Sequence, residues 1–355
     1  MALTLDAGTL ILKEHHLLKS VALNGDPTLN MTGIAYDSRQ VTEETLFFCK
    51  GNFRPVYLTN AKELGAVTYV AEQAIVEGNG MNALIVTNVQ KAMAVLSAAF
   101  YDYPQDDLFI VAYTGTKGKT TAAYFTQSIL QAATRQKTAL FSTIDRVLGP
   151  KPEDRFKSDL TTPESLDLFR DMRKAVENGM THLVMEVSSQ AYKNNRVYGL
   201  TFDVGFFLNM SSDHVGPYEH PKFEDYLHCK LQLLVNSRHC VINAQTQYFA
   251  DVYAAATTTT APESIYLFAE TDYQPTIPVA VDFRFENLET DLAKSRFKVT
   301  AASERAIQLG VSGDYQLRLI GDFNESNSTA AVIGAGLAGE DLIGAQQGIR
   351  ALQIP

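Results

Sequence analysis

Cysteine is scarce in this sequence. There are three in 355 residues, Cys49, Cys229 and Cys240, an odd number with no pair at metal-knuckle spacing. That excludes a disulfide framework and fits a reducing compartment. Cys229, beside Lys230, reads either as a reactive thiol or as an inert, partly buried side chain. Long apolar runs are missing too. None reaches the roughly 18–20 residues that span a bilayer, and the mildly apolar Leu3–Leu12 is interrupted by Asp6 with no basic segment before it, so no secretory leader is expected. Positive charge is also short: 30 Lys and Arg stand against 40 Asp and Glu, a formal net charge of −10. A broadly acidic surface repels a nucleic-acid backbone, yet it leaves room for a local anion site built from a few cations and backbone amides. The expectation is a soluble, cytoplasmic, monomeric protein with small-molecule partners, no nucleic acid and no membrane.

What is present is an ordinary globular balance, 46% hydrophobic and 20% charged, over a length that suggests more than one domain. Residues 1–104 read as a small α/β domain, with short buried strands at Leu46–Phe48, Val67–Val70 and Leu84–Val86 and a helix at Lys91–Tyr101. Tyr103–Asp107 reads as a linker. Residues 105–355 read as a second α/β domain. Leu108–Tyr113 is its first buried strand, and a helix at Lys119–Ala133 gathers Ala122, Phe125, Ile129, Leu130 and Ala133 near one face. Strands are expected at Lys137–Phe141, Leu183–Val187, Val204–Leu208 and Cys240–Asn243, with helices at Pro163–Asn178 and Lys222–Asn236. Such alternation implies a mostly parallel sheet, and Asp282–Leu319 an antiparallel excursion.

The segment Thr114–Thr121 (TGTKGKTT) sits between that first strand and its helix. Glycines let the backbone fold around a phosphate so that amides point inward, and the helix adds its positive end. Gly115, Thr116, Lys117, Gly118, Lys119, Thr120 and Thr121 are therefore candidate ATP-binding residues. Lys119 reaches for the outer phosphates, and the Thr120 hydroxyl is offered to Mg²⁺. The general phosphate-loop pattern wants a glycine where this chain has Tyr113.

TGTKGKTT with an upstream tyrosine resembles the Mur ligase family, whose members add amino acids to UDP-N-acetylmuramic acid peptides. Other segments resemble that family in order. Tyr36-Asp37-Ser38-Arg39 is similar to the motif that contacts the uridine nucleotide. Thr161-Thr162-Pro163 is similar to the loop that holds the muramoyl-peptide, and Glu186-Val187-Ser188-Ser189-Gln190 with Arg196 to the segment carrying a metal-binding glutamate and substrate contacts. Asn209–Lys230 is similar to the segment with a metal-binding histidine, here His214, and a carbamylated lysine, here Lys230. Asn324 and Asn327 resemble the asparagines near the nucleotide. The wording DHVGPYEHPKFEDY looks most like the MurE-type branch that adds L-lysine as the third peptide residue. The family's third, C-terminal domain, which selects the amino acid, is expected to be absent, since the chain stops at Pro355.

The resemblance implies a ligase that uses ATP and Mg²⁺ to turn a carboxylate into an acyl phosphate, which an amine then attacks. Lys119, Glu186 and Lys230 would be catalytic; Thr120, Glu186, His214 and carbamylated Lys230 would be metal ligands. Ser38, Thr161, Thr162, Ser188, Gln190 and Arg196 would hold UDP-N-acetylmuramoyl-L-alanyl-D-glutamate. Read without the resemblance, these residues have blander roles. Lys230 is a surface cation, Glu186 a salt-bridge partner, Thr162 a helix cap, Ser38 a turn residue and Arg196 a surface ion pair. His220 and His228 flank the segment without an assigned role. Gly334–Gly339 satisfies G-x-G-x-x-G but lies in an alanine-rich helical run, so small residues for close helix packing are the better account. Three other functions compete: a chain that binds UDP-muramoyl-dipeptide and ATP without ligating, a folate polyglutamylating ligase, and an ATPase switch that turns over without a UDP substrate. Tyr36–Arg39 speaks against the folate ligase.

Overall fold

The structure is a computed structural model that describes residues 1–24, 26, 28–133, 137–211, 216, 220–290, 294–318 and 323–352. By packing, the chain divides into two compact units: 1–106 with 163–173 and 194–199, and 107–162 with 174–193 and 200–355.

The first unit opens with β1 (Leu3–Thr4), which pairs with β3 (Asn30–Met31), and α1 (Leu5–Glu14), capped by the Thr4 hydroxyl accepting from Ala7 N at 3.2 Å. Its main sheet has the order β2-β7-β6-β5-β4, using β2 (Leu18–Ala22), β4 (Gly33–Ala35), β5 (Thr45–Phe48), β6 (Ala66–Ala71) and β7 (Asn82–Val86). All neighbours are parallel except β2 against β7. α2 (Pro55–Glu63) and α3 (Val89–Phe100) complete it. Every residue of β5 is buried, because both faces of the sheet are covered. Leu46 and Phe48 enter one cluster with Leu5, Leu12, Val70 and Leu96, and Phe47 enters another with Leu58 and Tyr69. Leu166 and Tyr198, from the two later segments, pack into the first of these clusters.

The second unit is an eleven-stranded sheet of order β11-β10-β9-β12-β8-β13-β14-β15-β16-β17-β18. Its strands are β8 (Phe109–Thr114), β9 (Thr138–Phe141), β10 (Asp145–Val147), β11 (Arg155–Lys157), β12 (His182–Glu186), β13 (Phe202–Phe207), β14 (Ser237–Asn243), β15 (Ile265–Glu270), β16 (Phe283–Thr290), β17 (Ser295–Ala301) and β18 (Gly313–Leu317). From β9 to β16 all pairings are parallel. β16, β17 and β18 then form the antiparallel excursion. The helices are α4 (Lys119–Ala133), α5 (Ser165–Glu177, shared between the units), α6 (Ser189–Lys193), α7 (Phe223–Val235), α8 (Phe249–Ala256), α9 (Glu304–Gln308), α10 (Asn324–Leu337) and α11 (Leu342–Ala351). The chain leaves β8 for β9, returns to β12 beside β8, and then crosses to β13 on β8's other side. The carboxyl end of β8 is thus the point where strand order reverses, the place where open α/β sheets bind ligands.

Packing accounts for two sequence anomalies. Tyr113, where a phosphate loop usually has glycine, is a core residue. Its ring stacks on Phe206 at 4.4 Å, and its hydroxyl lies 2.5 Å from Thr126 Oγ1. The G-x-G-x-x-G run is the end of α10: a Cβ on Gly334 would sit 3.0 Å from Phe206 Cζ, and one on Gly336 3.0 Å from Val311 Cγ1. Gly334 lets the helix approach the sheet closely, and Gly336 lets it approach the segment before β18.

Candidate active site

The turn after β8 runs straight into α4. Gly118 has φ +85°, a conformation that L side chains rarely adopt, and a Cβ there would lie 2.4 Å from Asn327 Oδ1. Both demands require glycine. Asn209 braces the turn from the end of β13: its Oδ1 accepts from Lys117 N and its Nδ2 donates to Lys117 O, each at 2.9 Å. Thr116 N donates to Asn209 O at 3.1 Å. Lys119 Nζ folds back onto the carbonyls of Gly115 at 2.8 Å and Thr116 at 3.3 Å. Burial holds its pKa below the ordinary value, against the opposing pull of Glu186. Thr120 and Thr121 are half-buried in the first turn of α4, where amides have no partner within the helix. Asn327 is buried against this turn, and Asn324, half-buried, opens α10.

Glu186 ends β12, paired in register with Tyr113 of β8. It is 0% exposed. Its carboxylate accepts from Thr143 N at 2.7 Å and from Thr143 Oγ1 at 3.1 Å. Each oxygen accepts one of these bonds, and among the described residues no cation forms a salt bridge with the carboxylate. Thr161 Oγ1 lies 3.1 Å from the same Thr143 hydroxyl. Thr162 does not cap a helix, because α5 begins only at Ser165. Its buried hydroxyl instead donates to Glu186 O at 3.0 Å and accepts from Ser188 N at 3.1 Å. Ser188 Oγ accepts from Ala191 N at 3.2 Å. Ser188 and Gln190 are half-buried at the start of α6. Glu186 and the Thr120 hydroxyl are hard oxygen donors of the kind that suit Mg²⁺.

The reading of Lys230 as a surface cation is overturned. It is 2% exposed. α7 aims its Nζ at Gly115 O, 2.5 Å away, and the Tyr226 ring centroid lies 4.9 Å from it. Burial, reinforced by the charge of Lys119, pushes its pKa well below the ordinary amine value. Two amines therefore converge on one loop carbonyl.

In the first unit, Ser38 opens a single 3-10 turn, with Arg39 N donating to the Asp37 carboxylate at 3.0 Å. It lines a cavity of about 590 Å³ with Tyr36, Lys50, Asn52 and Tyr57 among others. Arg196 forms a half-buried ion pair rather than a surface one: its Nη2 lies 3.0 Å from Glu164 Oε1, and Lys50 Nζ lies 2.6 Å from Glu164 Oε2.

His214 lies outside the described residues. Among the described residues, one further grouping of metal-ligand types stands together, His220, Asp225 and Cys229, with ligand atoms within 4.8 Å of one another. His220 Nδ1 is already bonded to Asp225 Oδ2 at 2.7 Å. Burial pushes the Cys229 thiol up to about 11, so it is an inert thiol rather than a ready thiolate ligand. Sequence reasoning missed Thr143, Asn209, Tyr226 and His220 as contributors. Tyr226 alone carried a signal, standing one helical turn before Lys230.

The sequence profile of the Mur ligase middle domain matches residues 113–335. A UDP-N-acetylmuramyl-tripeptide synthetase of Latilactobacillus sakei is 87% identical over 355 residues, all of this chain and 69% of the relative. A UDP-N-acetylmuramoyl-L-alanyl-D-glutamate--L-lysine ligase of Enterococcus faecalis is 50% identical over 326 residues, 92% of this chain and 61% of that one. The solved structure of a UDP-N-acetylmuramoyl-L-alanyl-D-glutamate--2,6-diaminopimelate ligase superposes with TM-score 0.79 at 22% identity, covering all of this chain and 68% of the other, and so shares the fold. With a phosphate-loop sheet at its centre and identity of this level along its whole length, the chain belongs to the Mur ligase family.

Proposed function

We propose that this chain carries the nucleotide- and peptide-holding machinery of an ATP-dependent ligase. The ligase joins L-lysine to UDP-N-acetylmuramoyl-L-alanyl-D-glutamate in peptidoglycan precursor synthesis. The Enterococcus relative's specificity supports lysine. The observation that carries the chemistry is the convergence of Lys119 and Lys230 on the Gly115 carbonyl, beside the buried Glu186.

Forming an amide from a carboxylate needs that carboxylate activated by the γ-phosphate of ATP, and two anions must approach each other. Lys119 exchanges its contact with the loop carbonyls for the terminal phosphates and offsets their charge. The loop amides and the N-terminal end of α4 hold the remaining phosphate oxygens. Asn324 and Asn327 lie on the nucleotide side. Thr120, Glu186, His214 and a carbamate on Lys230 are the proposed Mg²⁺ ligands, and that ion supplies charge neutralisation between the reacting anions. A depressed amine pKa favours the carbamate, because only a neutral amine adds carbon dioxide. Thr161, Thr162, Ser188 and Gln190 are proposed to hold the peptide. Ser38 is proposed to hold the uridine nucleotide in its cavity, and Arg196, fixed by Glu164, to hold anionic substrate groups.

Calorimetry on the chain tests this reading. UDP-N-acetylmuramoyl-L-alanyl-D-glutamate and a non-hydrolysable ATP analogue with Mg²⁺ should each bind, and Lys119→Ala should abolish only the second. Absence of heat with the UDP compound removes the proposal. Amino-acid choice is read as ADP release with L-lysine against diaminopimelate, the Latilactobacillus relative serving as a working control. Preference for diaminopimelate removes the lysine assignment.

A further inference from the structure

We propose that His220 is a positioning residue, which fixes the Ser188–Gln190 turn to α7 and so sets the peptide-holding groups against the phosphate loop. The inference rests on the reading of Ser188 and Gln190 as peptide-holding residues given above.

His220 is 0% exposed. Its Nδ1 lies 2.7 Å from Asp225 Oδ2 in the first turn of α7, and its Nε2 lies 2.9 Å from Ser189 Oγ, the first residue of α6. A carboxylate only accepts, so Nδ1 donates, which leaves Nε2 of a neutral ring to accept from the Ser189 hydroxyl. The ring also packs at 5.2 Å on Tyr226, whose hydroxyl lies 3.1 Å from Thr116 Oγ1. One imidazole therefore touches α6 on one side and α7 twice on the other.

What hangs on each side gives the contact its consequence. Ser189 follows Ser188, which Thr162 ties to the end of β12 beside Glu186. α7 carries Lys230 to Gly115 O. A buried polar chain of this kind is costly unless every member is satisfied, and once satisfied it admits a single geometry. Rotation of the ring or loss of either partner frees the α6 turn from the helix that carries Lys230.

Ser, His and Asp in this order also build acyl-transfer triads, which present the serine and imidazole to a substrate and bury the acid. Here the imidazole is enclosed, Ser189 is buried, and the Asp225 side chain, 40% exposed, is the member that faces water. The arrangement suits a strut rather than a nucleophile.

The test is calorimetry on the chain with UDP-N-acetylmuramoyl-L-alanyl-D-glutamate and, separately, the ATP analogue with Mg²⁺, alongside thermal unfolding. Ser189→Ala and His220→Gln should each weaken the UDP-peptide about tenfold or more and leave the ATP analogue within about twofold. Asp225→Asn, which keeps an acceptor for Nδ1, should retain wild-type affinity, whereas Asp225→Ala should not. Unchanged UDP-peptide affinity in Ser189→Ala overturns the inference, as does equal weakening of both ligands with a fall in Tm, the signature of a merely structural role. Should His220→Gln fail to fold, Ser189→Ala, which removes one hydroxyl, still gives the reading. A wild-type chain that binds no UDP-peptide overturns the functional reading itself and this inference with it. A wild-type chain that binds, with variants that bind equally well, overturns this inference alone.

Discussion

Lys230 and Lys119 share one acceptor, the Gly115 carbonyl, and burial together with the charge of Lys119 makes protonation of Lys230 harder. The folded chain thus holds Lys230 neutral at a pH where the unfolded chain would protonate it. The unfolded state then binds the additional proton, so stability rises with pH from the depressed folded pKa up to the ordinary 10.5. The slope from this group alone is about 1.4 kcal/mol per pH unit. Urea unfolding between pH 7 and 10 in carbon-dioxide-free buffer should show that rise, and Lys230→Met should remove it. Added bicarbonate should stabilise the wild type and not Lys230→Met, with a carbamate carbon visible by ¹³C NMR in the wild type alone. At Gly118, a methyl group meets both the positive φ and Asn327 Oδ1. Gly118→Ala should cost about 1–2 kcal/mol in chemical unfolding and weaken the ATP analogue more than the UDP-peptide. Equal weakening of the two would argue against a loop-specific effect.

At the scale of elements, much was legible in the chain because period and punctuation agreed. The helix expected at Lys119–Ala133 has those bounds, and the strands around Leu46, Val67, Leu84, Leu108 and Cys240 lie where buried β-rich runs put them. The helix expected from Pro163 starts at Ser165, since the proline and the committed Thr162 hydroxyl belong to the preceding turn. The phosphate turn was readable because its glycines, lysine and threonine stand side by side. Thr143 and Asn209 were not, because each looks like any loop residue until strand order brings it beside β8 or β12. Lys230 looked exposed because one helical turn does not reveal which face a sheet covers. α11 makes a further prediction. It packs so close to α4 that a Cβ on Gly348 would lie 2.2 Å from Ile129 Cα, and Ser128 Oγ donates to Gly348 O at 2.7 Å. Gly348→Ala should push the helices apart and cost about 1–3 kcal/mol, as overpacking does, seen as a lower Tm. The ATP analogue should bind as before, and a large loss of its affinity would mean that α11 communicates with the loop.

For the molecule as a whole, the division into units does not follow the order of the chain. The first unit takes in 163–173 and 194–199, and with them Leu166, Tyr198 and the Glu164–Arg196 pair. Residues 1–106 expressed alone should therefore be looser than the same unit in the intact chain, with greater ANS binding and weaker near-ultraviolet circular dichroism. A fragment 1–106 that unfolds as cooperatively as the intact chain would show these segments to be dispensable. The same interleaving bears on synthesis. A domain encoded in one stretch is complete once its last residue clears the ribosome. Here the amino-terminal unit waits for residue 199 before its final pieces exist, by which point residues 107–162 and 174–193 of the other unit have already been made.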